Sequence, residues 1–493
     1  MKNMVLPLLF LFLSTASIAQ NDEDRLILKA MHSISSHDMM EYMTEICDDK
    51  YAGRLTGTPE YQACAEWLAD FFGGIGLEPG GHDGSWFQWF DIPYTLVHPD
   101  CGVSLQIPVD GGGVVTKHYD YMTEYMPGST SANGEVTAEV VYAGYGISAP
   151  ELGYDDYQGV DVQGKIILIE REAPVSPDEG PEKFNPWFEY SFHQYKLQNA
   201  VRHGALGMIY NYGPIANPNN AYDENFIYVH VGDSVVGDIF LGSGRDHRTV
   251  VQAIQDRLEP QSFNTGKVVT IKMSTTHVPD GRGVNIMGLI PGSDPDLSRE
   301  VIIIGGHLDH MGRCYEIIPG ANDNASAVSV MMAVAKALKV HDIRLKRSVL
   351  FLSFGAEEQG IIGAKAYLDD PVFPIDQSVL LNMDGVGVGD KVGVTAGRDY
   401  PVLFEAFDEA NQSFIHRELR PNHFPNLGRP RLDAARFLTA GVPSLSFYTF
   451  GSTSYYHIPL DNMDIIKPEI MEDLAQMMLL AVIRLGNMEG PIR

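Results

Sequence analysis

The residues best able to do chemistry fall in short stretches between positions 307 and 461 of this 493-residue chain. "HLDHMG" carries His307 and Asp309, "GANDNASA" carries Asp323, and "FGAEEQG" carries the adjacent Glu357 and Glu358. "LNMDGVG" carries Asp384, and "SYYHIPLDN" carries Tyr456, His457 and Asp461. Each has an ordinary explanation in isolation: Asp323 between two asparagines suits a helix cap, the glutamates a solvated strand end, His457 a core position. Several, however, follow solid apolar runs such as "VIIIGG", "SVLFLSF" and "SVLLNM". Buried strands ending at one sheet edge would gather imidazoles and carboxylates there, and neighbouring carboxylates raise one another's cost of ionisation. Cations are the economical remedy. Nitrogen and oxygen donors without thiolate suit Zn2+ and also Mn2+ or Co2+.

The elements that must hold these residues change character along the chain. From about Thr276 the pattern runs strand, loop, helix, with helices expected over 324–340 and 360–368. Solidly apolar strands alternating with helices argue for an α/β fold, a mostly parallel central sheet with helices on both faces. Ligands in such sheets lie at the carboxyl ends of the strands. Between about Pro99 and Ile271 the reading is instead β-rich, with strands in "CGVSLQIP", "EVVYAGYG", "GKIILIERE", "ALGMIYNY", "FIYVHV" and "KVVTIKM". Only "SFHQYKLQNAVRHGA" reads there as a substantial helix. Upstream, Ala63, Trp67, Leu68, Phe71 and Phe72 recur at helical spacing as a core-facing stripe.

Composition narrows the function classes. A formal charge of −29 argues against a nucleic-acid backbone or an anionic membrane as partner. The opening "MKNMVLPLLFLFLSTASIAQ" reads as a secretory signal cut after Ala19, with no stable membrane insertion afterwards and a periplasmic or extracellular destination. Export permits disulfides among Cys47, Cys64, Cys101 and Cys314, but the spacing ranks no pairing and contains no C-x-x-C. Cys314 reads as a buried or paired cysteine.

"HLDHMG", "GANDNASA", "GAEEQG", "LNMDGVG" and "YYHIPLDN", in that order, resemble the five metal-site motifs of the M28 family of dizinc peptidases, which includes many aminopeptidases. "VVYAGYGI" through "GVDVQGKIILIERE" is similar to the protease-associated (PA) domain often inserted in that family. The resemblance implies a zinc-exopeptidase fold with a β-rich PA insert: signal 1–19, N-terminal part of the peptidase domain 20–98, PA domain 99–272 and catalytic domain 273–493. It implies two Zn2+ ions bridged by Asp323, one completed by His307 and Asp384, the other by Glu358 and His457. Glu357 would be the general base, acting on a hydroxide held between the metals, and Asp309 would orient His307. Tyr456 matches a position that places a phenol near the developing oxyanion.

The chain departs from many relatives at Leu432-Asp433-Ala434, where they read Ser-Asp-His. His310 reads as packing behind the ligands or as a substrate contact, and Asp461 as a partner of His457 or a loop cap. An H-E-x-x-H helix is absent. The resulting expectation is an exported aminopeptidase acting on peptides, of unspecified oligomeric state. The alternatives are a carboxypeptidase, for which Arg429, Arg431 and Arg436 would meet the substrate carboxylate, and a non-catalytic binding protein on the same fold.

Overall fold

The computed structural model describes residues 24–109, 111–422 and 432–493. The expected signal segment, and Arg429 and Arg431, lie outside these residues.

Six strands form the body of the main sheet: β1 (Arg282–Ile290), β2 (Val301–His307), β3 (Ser348–Phe354), β4 (Ser378–Met383), β5 (Lys391–Thr395) and β6 (Ser444–Phe450). Their spatial order is β1, β3, β2, β4, β6, β5, with Glu78–Pro79 and Leu419–Pro421 at the edges. Strands β3, β2, β4 and β6 run parallel, whereas β1 and β5 are antiparallel to their neighbours β3 and β6. Alternation along each parallel strand feeds two cores, because successive side chains point to opposite faces. Ile302, Ile304, Val349 and Phe351 pack with helices α1 (Pro59–Gly74), α2 (Ser326–Val340) and α3 (Pro468–Asn487) on one face. Val301, Ile303, Leu350 and Leu352 pack on the other with Ile361, Tyr367 and Phe437. A sheet covered on both faces explains why these strands read as unbroken apolar runs.

A second sheet of eight strands lies between residues 102 and 273. Its centre is the parallel set Gly134–Tyr142, Ile166–Glu170, Gly207–Asn211 and Ile227–Val231. Two longer helices, Asp233–Phe240 and His247–Arg257, and the short helix Pro181–Phe184 accompany the expected His193–Arg202. His247–Arg257 buries only Val250 and Ile254, a stripe too thin to read as a helix, yet Asp246 caps it by accepting from the Thr249 backbone N–H. Among the described residues no helix is long and apolar enough to cross a membrane.

His230, in the strand Ile227–Val231, is buried; its Nδ1 donates to the Ile215 carbonyl at 2.7 Å, and its Nε2 has no partner among the described residues. Burial pushes its pKa down to about 4, so the folded chain keeps it neutral where an unfolded chain takes up a proton. Stability therefore rises with pH across the window from about 4 to about 6.5, by about 3 kcal/mol in all. H230Q removes that contribution: thermal melts between pH 7 and pH 4 are expected to fall less steeply for the variant than for the wild type.

Candidate active site

Three neighbouring parallel strands deliver their ends to one edge. His307 closes β2 opposite Phe354 of β3, and Asp384 follows β4, its N–H donating to the Phe447 carbonyl of β6 at 2.9 Å. After β3 the chain turns at Ala356, whose φ of +52° is the left-handed region, and there the two glutamates emerge. The turn is fixed by hydrogen bonds from the Gly355 N–H to Asn285 Oδ1 and from the Ala356 N–H to Thr56 Oγ1. Asp323 lies in a wide turn, Ala321–Ala325, that leads into α2. Side-chain amides join this turn to the Asp384 segment: Asn324 donates to the Met383 carbonyl, and the N–H groups of Gly385 and Gly387 donate to Asn324 and Asn322.

All five expected ligands, and Glu357, come together here. His307 Nε2 lies 3.3 Å from Asp323 Oδ1 and 3.7 Å from Asp384 Oδ1. His457 Nε2 lies 3.4 Å from Asp323 Oδ2 and 3.1 Å from Glu358 Oε2. His307, Asp323 and Asp384 form one group that can hold a metal ion, and donor atoms of His307, Glu357 and Glu358 also lie within 4.8 Å of one another. Both imidazoles spend Nδ1 on a backbone carbonyl, of Asp309 at 3.1 Å and of Ala216 at 3.0 Å. A carbonyl only accepts, so the proton sits on Nδ1 and each Nε2 is turned toward carboxylate oxygens. Basic nitrogens and carboxylates facing one another fit a cation between them.

Asp309 has a different division of labour from the expected one. Its carboxylate lies 3.7 Å from His307 Nδ1 and accepts instead from the Glu357 and Glu358 N–H groups, each at 3.2 Å, while its backbone carbonyl takes the His307 proton. Asp461 acts similarly on the other side: its oxygens accept from the N–H groups of Asn322 and Asp323, so it caps the Asp323 turn. His310 Nδ1 is 2.8 Å from Glu358 Oε1, which makes it a direct neighbour of the site. Tyr456 stacks on His457 with ring centroids 3.4 Å apart, and half of its surface is exposed. Cys314 is a buried free thiol; burial pushes its pKa up to about 12, unsuited to a nucleophile.

The adjacent glutamates titrate in opposite directions. Burial, and then the charges of Glu358, Asp433 and Asp384, hold the Glu357 carboxyl well above the ordinary range against the opposing pull of His307. Burial and the charge of Asp323 act the same way on Glu358, but His457 and His310 outweigh them and bring its pKa below the ordinary range. Burial would lower the pKa of His457, yet Glu358 and Asp323 push it up to about 10. The site is therefore one in which positive charge between Asp323 and its neighbours is strongly favoured.

Two features escaped the sequence reading. Asp433 is buried with both carboxylate oxygens lacking a hydrogen-bond partner among the described residues, and it lies near enough to raise Glu357. Arg54, fully buried, donates to the carbonyls of Leu308 (2.7 Å), Ile46 (3.1 Å), Pro319 (2.6 Å) and Gly320 (3.0 Å). Leu308 adjoins His307 and Gly320 opens the Asp323 segment, so one guanidinium fastens both loops. Arg436, which the carboxypeptidase alternative places at a substrate carboxylate, donates to the Gly360 carbonyl at 3.2 Å, in the turn after the glutamates.

Residues 285–482 match the family described as "Peptidase family M28", and residues 136–236 match the PA domain. The chain carries an M28 peptidase domain with a PA domain inserted in it. The M28 match begins within β1 and ends in α3, so it spans all five metal-site motifs named above. Among curated proteins, the chain is 26% identical over 364 residues to an aminopeptidase of Pseudomonas aeruginosa, covering 71% of this chain and 56% of that one. It is 24% identical over 396 residues to a probable glutamate carboxypeptidase of Arthroderma benhamiae, covering 66% and 50%. The chain thus spans about half the length of these curated relatives, and 28% of a vacuolar membrane protease of Yarrowia lipolytica. An aminopeptidase structure from Aneurinibacillus sp. strain AM-1 superposes with a TM-score of 0.65 at 21% identity, covering 95% of this chain and 98% of that one. For a zinc aminopeptidase of Bacillus subtilis the TM-score is 0.61 at 19% identity, covering 93% and 97%. These likenesses establish the α/β fold with its inserted PA domain.

Arg54→Met leaves buried carbonyls without donors at the base of the M28 site. Removing such partners costs about 3 kcal/mol or more. The expected readout is a clear fall in the thermal unfolding midpoint relative to an exposed-arginine control such as Arg344→Met.

Proposed function

We propose that this chain is an exported dizinc exopeptidase, an aminopeptidase that releases N-terminal residues from peptides. The observation that carries the reading is Asp323, whose two oxygens address different imidazoles, Oδ1 toward His307 and Oδ2 toward His457. A carboxylate so placed suits a bridge between two cations, one held with His307 and Asp384, the other with Glu358 and His457. Zinc is the metal named for the Bacillus subtilis neighbour, and this donor set suits it, with Mn2+ or Co2+ as substitutes. A zinc pair bound there would polarise the scissile carbonyl and lower the pKa of a water molecule.

The chain's own residues supply the rest. Glu357 takes a proton from the attacking water on its carboxylate and gives it to the leaving amine nitrogen. Asp309 holds the Glu357 and Glu358 backbone in place, so the two carboxylates keep separate tasks. Tyr456, stacked on His457, would donate its phenol hydrogen toward the carbonyl oxygen as charge develops there. Residues 99–272 are read as the inserted unit. The apolar N-terminal segment supports export to the periplasm or beyond the cell, and the acidic charge supports peptide rather than nucleic-acid substrates.

A panel of aminoacyl and N-blocked, free-carboxyl peptides discriminates the readings. Hydrolysis of free-amino substrates only, abolished by a chelator and restored by Zn2+, is the expected result. Preference for N-blocked substrates would make it a carboxypeptidase, the activity in the name of the Arthroderma benhamiae relative, and no metal uptake at all would make it a binding protein. Glu357→Gln is expected to keep both metals and lose kcat by about 100-fold or more, whereas Glu358→Gln should lose one metal equivalent.

A further inference from the structure

The PA insert reaches His457 through one loop, "GPIANPNN" at 213–220. The Ala216 carbonyl accepts from His457 Nδ1 at 3.0 Å, and the Ala216 N–H donates to the His457 carbonyl, also at 3.0 Å. These reciprocal bonds hold the ring and the backbone of the same residue. His457 has a φ of +58° and lies outside any helix or strand, so no ladder of its own fixes it. His307, by contrast, ends a fully paired strand. A non-glycine residue in the left-handed region persists when its surroundings determine it, and here the Ala216 hydrogen bonds to its ring and its carbonyl come from the insert.

The loop is itself anchored deep in the PA sheet. The Ile215 carbonyl accepts from His230, the Asn217 N–H donates to Ser129 Oγ at 3.1 Å, and the Gly213 N–H donates to the Val231 carbonyl at 3.0 Å. Ala216 is fully buried in an apolar cluster with Met126 of the insert and with Met311 and Ile318 of the peptidase domain, against which Ile458 also packs. The same loop meets the Glu358 side: Asn219 Oδ1 lies 3.0 Å from where a Cβ on Gly360 would stand. It thus touches the segments carrying both non-bridging groups of one proposed metal position, Glu358 and His457.

From this arrangement we infer that Ala216 is a positioning residue and that the PA insert completes the His457 metal position. The inference rests on the dizinc reading above. The Ala216 carbonyl fixes the tautomer of His457, so that its Nε2 lone pair faces Asp323 and Glu358, and the Ala216 N–H fixes the backbone from which the ring projects. Partners of this kind behind a ligand are worth about 10- to 100-fold in metal affinity. The insert would then act on the chemistry directly, through ligand geometry, rather than as a cover over the cleft.

The test is zinc binding by chelator competition on the full chain, with thermal unfolding and the visible spectrum of the Co2+-loaded protein recorded in parallel. Ala216→Pro removes the N–H, Ala216→Gly keeps both backbone groups, and the double variant S129A/H230A frees the loop from behind without touching His457. Wild type is expected to bind two zinc ions. Ala216→Pro and S129A/H230A should each weaken one zinc about 10- to 100-fold, leave the other unchanged and alter one component of the cobalt spectrum, with Ala216→Gly close to wild type. Two zinc ions at wild-type affinity in both Ala216→Pro and S129A/H230A overturn the inference and leave the dizinc reading standing. Parallel weakening of both zinc ions with a lowered melting point also overturns it, in favour of a purely structural loop. A wild type that binds no zinc overturns the dizinc reading itself.

Discussion

The arrangement at the carboxyl edge of the main sheet follows from burying several carboxylates within reach of one another. Such a group is costly in low dielectric unless each charge is met by hydrogen-bond donors, imidazoles or cations. The chain answers with fixed dipoles first. Asp309 and Asp461 each take a pair of backbone N–H groups, and those same bonds shape the turns bearing Glu357, Glu358 and Asp323. Carboxylates that position backbone release their neighbours for other work. The side chains of Asp323, Asp384 and Glu358 are left aimed at imidazole nitrogens, the arrangement that divalent cations satisfy best.

A second layer of support comes from outside the sheet. Arg54, in a segment far upstream, satisfies carbonyls of both the His307 and Asp323 loops. Thr56, two residues later, holds Ala356 at the glutamate turn. The N-terminal segment therefore serves as a clamp behind the site, and its interior cation spends its donors on peptide carbonyls. The geometry of the strand ends is in this sense written partly in residues that touch none of the ligands.

Much of this was legible in the sequence because strand ends and ligands share one rhythm. Unbroken apolar runs leading to His307, to the Glu357–Glu358 pair and to Asp384 announce both a covered parallel sheet and the edge where those residues gather. The PA sheet was less legible: His247–Arg257 buries so little that its helical stripe is faint, and short strands such as Tyr125–Pro127 carry almost no periodic signal. Backbone partners were the least legible of all. No side-chain pattern could reveal that Asp309 orients His307 through its carbonyl rather than its carboxylate, or that an alanine lies behind His457. Asp433 stood in a motif noticed only for what it lacked, and its burial without a hydrogen-bond partner among the described residues depends on packing that spacing does not encode.

The bonds that frame the site are also very long in sequence. Arg54 meets Leu308 across 254 residues, Thr56 meets Ala356 across 300, and His457 meets Ala216 across 241. Contacts of that separation form late, after the loops between them have been closed at their entropic cost. The geometry of the candidate site is then a property of the finished molecule. A chain that has not yet reached residue 457 holds at most four of the five candidate ligands and lacks His457 and its bond to Ala216, so the arrangement closes only when nearly the whole chain is in place.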